Sequence, residues 1–460
     1  MNYQEFLKTK AITPPVTGLD VVPPLRSQLF DFQADIVSWA CRRGRAALFA
    51  GTGLGKTFMQ LSWANALYEA TGERTIILTP LAVAGQTERE ANEWGFDAAK
   101  VSHQQDSNKP IVITNYHKLD HFDLSAFGGV VLDESSILKN QTGHYRTRLI
   151  RECYRVPFRL AATATPSPND YMELGNHAEF CGIMSYTDML STFFVHDAAK
   201  TQDWRLKGHA ESEFWKWMAS WSCMLHHPRD LGYQTDGYDL PTLHQHQHIV
   251  DAEYKSCIDM GTLFPMQAQS LGERLKARRA TIDDRVAKAA ELANGNSECW
   301  VIWCNLNDES SKLAACINGA VEVSGADSDA KKEEKLEQFA NGNIRVLITK
   351  PSICGAGLNW QHCHNTIFVG LNDSFEQVYQ ATRRFWRFGQ KNEVHAHFIA
   401  SELEGAVVAN IRRKEAQAKH MMQQMVKHMA DLSAINVRGA VRESASYIPQ
   451  TKMEIPQWIM

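Results

Sequence analysis

The sequence predicts an α/β fold with two parallel-sheet lobes, a helical insertion between them and a C-terminal helix. Two blocks, about 28 to 180 and 244 to 400, alternate short apolar strands with helical patterns. Strands separated by helices favour parallel sheets with right-handed crossovers. A further helical pattern, from about 403 to 432, lies near the end of the chain.

Each predicted strand is a short apolar run bounded by polar or turn residues. In the first block the predicted strands cover residues 46–49, 75–78, 111–114, 130–132 and 159–162. In the second block they cover residues 245–250, 300–304, 321–323, 346–349, 366–369 and 396–399. Residues 181–240 are rich in Trp and His and show no strand pattern, which predicts a helical insertion or hinge.

These patterns divide the chain into five parts. We predict an N-terminal extension at 1–24, a first lobe at 25–180, the insertion at 181–240, a second lobe at 241–432 and a tail at 433–460.

The composition is typical of a soluble globular enzyme, with 44% hydrophobic and 22% charged residues. The net charge of −4 excludes a globally basic protein, so nucleic-acid binding would require a local groove. The ten cysteines include no C-x-x-C pair and read as reduced core residues of a cytoplasmic protein. No secretory leader pattern is present in the N-terminal residues.

The stretch GTGLGKT, residues 51–57, matches the phosphate-binding P-loop pattern G-x-x-x-x-G-K-[ST] and follows a predicted strand. Its glycines allow backbone N–H groups to converge on phosphate oxygens, and the following helix adds its positive dipole end. Lys56 would reach the β- and γ-phosphates, and the Thr57 hydroxyl would bind Mg²⁺. The predicted nucleotide-binding residues of this loop are Gly51, Thr52, Gly53, Gly55, Lys56 and Thr57.

A second motif, GGVVLDESS at residues 128–136, is an apolar strand that ends in two adjacent carboxylates. Asp133, at the carboxyl end of that strand, can bind Mg²⁺. Glu134 can orient and deprotonate an attacking water. A strand that runs into a solvated acidic turn is the alternative, and the upstream P-loop makes it the weaker one.

The stretch AATATP, residues 161–166, ends another predicted strand with hydroxyl side chains. Hydroxyls at such a strand end can sense the γ-phosphate and pass the change to a neighbouring domain. Taken alone the segment would be a strand and a turn, so its assignment depends on the other two motifs.

The second block contains QVYQATRRFWRFGQ, residues 377–390, in which Arg384 and Arg387 share one helix face. Such a pair suits arginine fingers, which stabilise charge on a phosphoryl group in transfer. A solvated basic face and a contact to a phosphate backbone are the alternatives. The aromatic residues between the arginines make plain solvation the less favoured of these.

In this order, the motifs resemble those of the superfamily two helicases and translocases, and within them the Swi/Snf-type DNA-dependent ATPases, especially compact phage and bacterial members. The resemblance covers residues from about 25 to 425. GTGLGKT resembles motif I, Asp133-Glu134 motif II and residues 163–166 motif III. Gln33, in LFDFQ, is similar to the family's adenine-contacting glutamine.

In the second half, residues 301–303 resemble motif IV and residues 352–359 resemble motif V, where family members contact the DNA backbone. Motif VI is matched by Gln380, Arg384, Arg387, Gly389 and Gln390, and its R-x-G-Q ending is characteristic of the Swi/Snf branch. The resemblance implies that Gln380 belongs to the nucleotide site.

The sequence departs from the family pattern at two places. Ser136 stands where histidine is common in motif II, so we expect the coupling between nucleotide and DNA to differ in detail from that of relatives, and Trp386 stands where histidine is common in motif VI.

The resemblance implies two RecA-like (P-loop NTPase) lobes that bind ATP and Mg²⁺ in the cleft between them. It further implies a motor that moves along double-stranded DNA through sequence-independent backbone contacts, in the cytoplasm, nucleoid or host cytoplasm of a phage. Phage or host DNA-processing proteins are candidate partners.

Two alternatives stay open. One is a strand-separating DNA or RNA helicase, which would need a wedge hairpin that the sequence does not make evident. The other is a DNA-binding ATPase switch subunit that does not translocate.

The stretch HQHQH, residues 244–248, places three imidazoles on one face of a predicted strand. Metal binding is one interpretation. We favour a polar-faced strand that leads into the second lobe, because the family resemblance places a strand there.

Overall fold

The computed structural model describes residues 16–81, 83–140, 143–167, 170–196, 204–234, 236–250, 271–354, 359–370, 375–402 and 406–438. The first part of the predicted N-terminal extension, residues 355–358 of motif V and the tail beyond 438 lie outside the described residues. Within the described part of the chain, no helix is both long and apolar enough to cross a membrane.

The strands follow the apolar runs of the sequence closely. In chain order they are β1 Arg45–Ala50, β2 Thr75–Thr79, β3 Ala98–Lys100, β4 Ile111–Asn115, β5 Gly129–Asp133, β6 Phe158–Thr163, β7 Phe194–His196, β8 Trp204–Leu206, β9 Ser222–Leu225, β10 Leu243–Val250, β11 Trp300–Trp303, β12 Ala320–Glu322, β13 Val346–Thr349, β14 Asn365–Val369 and β15 Val394–Ser401.

The first helix precedes β1, and the others lie between strands or after the last strand. They are α1 Asp31–Arg43, α2 Lys56–Thr71, α3 Ala84–Glu93, α4 His144–Glu152, α5 Leu174–Phe180, α6 Tyr186–Phe193, α7 Glu211–Trp221, α8 Leu271–Ala280, α9 Ile282–Asn294, α10 Asn307–Cys316, α11 Asp329–Ala340, α12 Pro351–Cys354, α13 Phe375–Thr382 and α14 Ala406–Arg438.

The first lobe is built on a parallel sheet with the strand order β3-β4-β2-β5-β6-β1-β9, seven strands among the described residues. Most of its strands are buried along nearly their whole length, as expected where helices cover both faces of a parallel sheet. Because β5, β6 and β1 are neighbours, their carboxyl ends meet at one edge of the sheet. This order brings together the segments that follow each strand.

The second lobe is built on a parallel sheet with the order β10-β15-β14-β11-β13-β12, six strands among the described residues. The strand pairs keep a continuous register, from Leu243↔Val394 at the start of β10 to Val250↔Ser401 at its end. The predicted α/β fold with two parallel-sheet lobes is confirmed.

The expectation that residues 181–240 contain no strand is wrong. The four-residue strand β9 pairs in parallel with β1, from Ala47↔Ser222 to Ala50↔Leu225, and forms an edge of the first sheet. It follows directly on the Trp-rich helix α7, which ends at Trp221, so its short apolar run reads as a continuation of the helix. Part of the predicted insertion therefore belongs to the first lobe.

The strands β7 and β8 form an antiparallel hairpin in the same region, with Phe194↔Leu206 and His196↔Trp204 in register. The sequence did not make this hairpin evident, because seven residues separate its two three-residue strands. The residues between the two strands, 197–203, lie outside the described residues.

The C-terminal helix α14 extends beyond its predicted end and contacts both lobes. On the second lobe, Gln245 Nε2 of β10 donates a hydrogen bond to Glu415 Oε1 at 3.0 Å. On the first lobe, Met425 and Met429 are buried in the core, and Asn436 Nδ2 donates to the Ala219 carbonyl at 2.8 Å. The helix thus forms hydrogen bonds with both lobes and connects them.

Candidate nucleotide site

The P-loop joins β1 to α2 through two glycines in the left-handed region. Gly53 has φ +88° and Gly55 has φ +77°, values that side chains with a Cβ rarely adopt. A Cβ on Gly55 would also lie only 2.3 Å from Gln33 Nε2. Since α2 begins at Lys56, its free backbone N–H groups face the loop, as in other phosphate-binding helix N-termini.

The Lys56 ammonium lies over this loop. Its Nζ donates hydrogen bonds to the carbonyl oxygens of Ala50 at 2.9 Å and Gly51 at 3.2 Å. Burial lowers the pKa of Lys56 to about 8, although the nearby Glu134 and Asp133 oppose that shift. Both of these hydrogen bonds go to neutral carbonyls, so the half-buried ammonium is well suited to an anionic ligand.

The two carboxylates of motif II lie at the carboxyl end of β5. Asp133 Oδ1 accepts a hydrogen bond from Gln60 Nε2 of α2 at 2.8 Å. Glu134 has φ +58° and is the one non-glycine with positive φ in the part of the chain described. Such strain often marks functional positions. Burial raises the pKa of both carboxyl groups.

Two hydroxyl groups position Glu134. Its Oε1 accepts hydrogen bonds from Thr163 Oγ1 at 2.6 Å and from Ser136 Oγ at 2.9 Å. Thr163 Oγ1 in turn accepts from the backbone N–H of Thr165 at 3.0 Å. Motif III therefore contacts the motif II glutamate directly. Ser136, at the position where histidine is common, donates its hydroxyl hydrogen bond to the same glutamate.

Motif VI of the second lobe faces these groups across the cleft. The expectation that Arg384 and Arg387 share one helix face is wrong, because α13 ends at Thr382 and both arginines lie in the turns that follow it. A cavity of about 290 Å³ lies between the lobes. The site residues that line it are Thr52, Gly53, Gly55, Lys56, Thr57, Asp133, Glu134, Gln380, Arg384 and Arg387. A Cβ on Gly53 would lie 2.9 Å from the backbone N of Phe388, so motif VI packs directly on the P-loop. Burial lowers the pKa of Arg387.

Gly51 lies at the edge of this group. Its N–H donates to the Leu225 carbonyl at 2.9 Å, and a Cβ there would lie 3.3 Å from the His226 carbonyl. The strand β9 thus supports the start of the P-loop.

Arg383 also lines the cavity, and the sequence reasoning did not single it out. Its guanidinium lies 4.3 Å from the ring centre of Trp386 and 5.2 Å from that of Tyr379, a cation–π arrangement. The aromatic residues on either side of the arginine run were the sequence signal that could have identified Arg383. Gln60 was missed as well, because its spacing from Lys56 marks only a buried helix position.

Gln33 is placed against the P-loop rather than in the open cavity. Its Nε2 donates to the Leu54 carbonyl at 3.0 Å, its Oε1 accepts from the Phe30 N–H at 3.0 Å, and its side chain is 3% exposed. A cluster of aromatic rings lies beside it, with Tyr238 centred 5.9 Å from Phe30 and 4.7 Å from Phe388. A contact with a base would use the donor and acceptor capacity that the amide has left.

Gln390, at the end of motif VI, is a positioning residue. Its Nε2 donates to the carbonyls of Gln361 and Cys363, both at 3.0 Å, and to that of Phe385 at 3.1 Å. Its Oε1 accepts from two following backbone N–H groups at 2.9 Å. These bonds fix the turn after the arginines.

The oxygen ligands that suit Mg²⁺ are present in the cavity, since the Thr57 hydroxyl and the Asp133 carboxylate both line it. The interpretation that the histidines of residues 244–248 bind a metal ion is not supported. Among the described residues, no three His, Cys, Asp or Glu side chains are grouped so that they could hold a metal ion.

The histidines of β10 instead stack with those of β15. His246 Nε2 lies 3.1 Å from His395 Nδ1, and His248 Nε2 lies 2.9 Å from His397 Nδ1. The favoured interpretation of a polar-faced strand fits this arrangement.

Two family models match the chain. Residues 32–205 match the SNF2-related domain, and residues 284–389 match the helicase conserved C-terminal domain. The first match contains motifs I to III and the second contains motifs IV to VI. The chain belongs to the Swi/Snf-type ATPases of superfamily two.

Membership of the Swi/Snf-type ATPases makes the chain an ATP hydrolase of the DNA-dependent, helicase-like class. Among solved structures, the chain is similar to the SWI2/SNF2 ATPase core of Sulfolobus solfataricus in complex with double-stranded DNA. The two share 16% identity over 90% of this chain and 97% of that chain, with a TM-score of 0.41. A comparison with curated proteins gave no match.

Proposed function

We propose that this Swi/Snf-type ATPase couples ATP hydrolysis in its inter-lobe cleft to movement along double-stranded DNA. One observation carries the proposal: Arg384 and Arg387 of the second lobe line the same cavity as Lys56 and Glu134 of the first lobe. A site built from both lobes is complete only when they are close together. Hydrolysis and lobe movement are then linked.

Each cavity residue has a role that its surroundings support. Lys56 compensates the charge of the β- and γ-phosphates, and Glu134 orients and deprotonates the attacking water. Arg384 and Arg387 stabilise negative charge that develops on the phosphoryl group. Thr57 and Asp133 would hold Mg²⁺, which neutralises phosphate charge when bound.

Two connections support the coupling, one within the second lobe and one between the lobes. Trp386 Nε1, within motif VI, donates to the Pro241 carbonyl at 2.7 Å, at the entry to β10. The helix α14 packs on both lobes. Closure and reopening of the cleft would move these elements together, and contacts to a phosphate backbone would make the step independent of sequence.

The rate of ATP hydrolysis with different nucleic acids tests this proposal. We expect stronger stimulation by double-stranded DNA than by single-stranded DNA or RNA. The stimulation should fall as salt is added, because binding to a phosphate backbone releases counterions. Stimulation by RNA alone would contradict the proposal.

Strand separation is the second candidate function, and the β7–β8 hairpin is the observation that favours it. The rings of His196 and Trp204 lie 4.8 Å apart, at the end of the two strands that adjoins residues 197–203. An aromatic hairpin of this kind can act as a wedge. The helicase interpretation would be favoured if the wild type unwinds a forked duplex and Trp204→Ala loses this unwinding but retains its ATPase activity. Absence of unwinding by the wild type would exclude the helicase interpretation.

A further inference from the structure

Two cysteines of the second lobe lie at the starts of neighbouring strands. Cys299 directly precedes β11, and Cys363 lies two residues before β14. The two strands are paired in parallel with Trp300↔Asn365 in register. This register places Cys299 beside His364, the residue that follows Cys363, and paired strands lie about 4.8 Å apart.

The Cys363 side chain points toward Cys299. Its Sγ lies 3.3 Å from the carbonyl oxygen of Cys299 and 3.3 Å from that of Asn365. Cys363 is fully buried, whereas Cys299 is partly exposed, so one sulfur is accessible and the other lies behind it. This is the arrangement of an attacking and a resolving cysteine.

The electrostatic surroundings separate the two thiols. A hydrogen bond from Cys363 lowers the pKa of Cys299 to about 6, with a further contribution from His362, whereas burial raises the pKa of Cys363. The lowered pKa favours the thiolate of Cys299, the reactive form of the side chain.

The other buried cysteines differ from this pair. Burial raises the pKa to about 12 for each member of the following set: Cys41, Cys153, Cys181, Cys223 and Cys304. They are inert core thiols by comparison.

Residues 360–363, which include Cys363, form hydrogen bonds with motif VI. The N–H of Trp360 donates to the Arg384 carbonyl at 3.0 Å, and Gln361 Nε2 donates to the Phe388 carbonyl at 3.1 Å. The carbonyl of Cys363 itself accepts a hydrogen bond from Gln390. A displacement of Cys363 would therefore reach the arginine that lines the nucleotide cavity.

We propose that Cys299 and Cys363 form a peroxide-sensitive dithiol whose oxidation to a disulfide slows ATP turnover through motif VI. The Cys299 thiolate attacks one oxygen of hydrogen peroxide; the O–O bond breaks and water leaves after protonation, giving a sulfenic acid. The Cys363 sulfur then attacks the Cys299 sulfur, and the S–O bond breaks with loss of a second water. The two thiols are oxidised by two electrons, and the peroxide is reduced to two waters.

Mass spectrometry of the full chain, treated with hydrogen peroxide and digested without reductant, tests the disulfide. We expect a linked peptide that contains Cys299 and Cys363, lighter by two hydrogen atoms, and its loss on treatment with dithiothreitol. The Cys299→Ser variant should give no such link, whereas Cys316→Ser, which removes an exposed thiol of α10, should give it unchanged. Peroxide that leaves the two thiols unlinked, or over-oxidises Cys299 alone, would overturn the proposal.

The effect on turnover is measured separately and depends on the ATPase activity. Peroxide should lower the DNA-stimulated rate of the wild type and of Cys316→Ser, and dithiothreitol should restore it. Cys299→Ser, a near-isosteric change outside the nucleotide cavity, should keep its rate in peroxide. A linked peptide with an unchanged rate would refute the coupling to motif VI, and an equal loss in Cys299→Ser would place the damage elsewhere.

Discussion

Glu134 carries the strongest constraints of any single residue in the nucleotide site. It adopts a left-handed backbone conformation at a strand end, its carboxylate accepts two hydroxyl hydrogen bonds, and burial raises its pKa. A residue that only capped the following turn would need none of these features. They hold one carboxylate oxygen in place, which fits the proposed role of Glu134 as the base that acts on a water.

Glu134→Gln keeps the size of the side chain and removes its ability to accept a proton. We expect ATP binding to stay close to that of the wild type while hydrolysis falls by a factor on the order of 10² or more. Nucleotide binding by fluorescence titration and steady-state turnover measure the two effects. Turnover at the wild-type rate would show that Glu134 is not the general base.

Thr163 tests how motif III acts on that glutamate. The Thr163 hydrogen bond lowers the pKa of Glu134 against the larger effect of burial, so Thr163→Val should raise that pKa further. A general base works when deprotonated, so the acidic limb of the profile of kcat against pH should move to higher pH. Thr163→Ser keeps the hydroxyl and serves as the control. An acidic limb at the same pH in Thr163→Val would contradict a direct role.

The sequence identified the P-loop, motif II and motif VI because each has a fixed spacing of distinctive residues. It did not identify Gln60 or Arg383. Their contacts depend on which strands and helices become neighbours, and the bond between Gln60 and Asp133 joins residues 73 positions apart. The predicted base contact of Gln33 stays a prediction, since its amide is used within the protein.

Strands were the elements that the sequence predicted best. Continuous apolar runs mark strands that are buried on both faces, and β2, β4 and β6 lie within a residue of their predicted bounds. The short strands β3 and β9 were missed, because β3 is a partly exposed Ala-Ala-Lys without an apolar run and β9 follows directly on the Trp-rich helix α7. The return of α14 to the first lobe was also missed, since helical periodicity shows an apolar face without showing what covers it.

The histidine stack on β10 and β15 makes the second lobe sensitive to acid. Burial lowers the pKa of His397 to about 4, and burial also lowers the pKa of His248 and His395. The unfolded chain, with a histidine pKa of 6.5, then binds protons more readily than the folded chain. The stabilisation is fully present above pH 6.5 and is lost as the pH falls through 6.5 toward 4.

Thermal unfolding as a function of pH measures this effect. The melting temperature should fall less on acidification for His397→Gln than for the wild type, since the variant lacks one buried imidazole that must be charged. Burial also lowers the pKa of His177 and His226, and both proteins retain these two residues. The difference in melting temperature between the two proteins therefore reports on the histidine stack alone. His209→Gln, at an exposed position of the first lobe, is the matched control. Identical pH dependence in all three proteins would contradict the account.

For the whole molecule, the proposed activity depends on a cleft that both lobes complete. Arg387→Ala should leave nucleotide binding largely intact but lower the DNA-stimulated turnover, by a factor on the order of 10³ if the arginine acts as a finger. Turnover and DNA affinity should be measured together. An unchanged turnover with weaker DNA binding would make Arg387 a backbone contact instead.

Displacement of the third strand from a DNA triplex is the most direct measure of movement along a duplex. In the presence of ATP, the wild type should displace that strand, and Glu134→Gln should not, although it still binds ATP. The same wild-type preparation should leave a forked duplex of ordinary length intact. Failure to displace the third strand while ATP is hydrolysed, or efficient unwinding of the fork, would contradict translocation on double-stranded DNA.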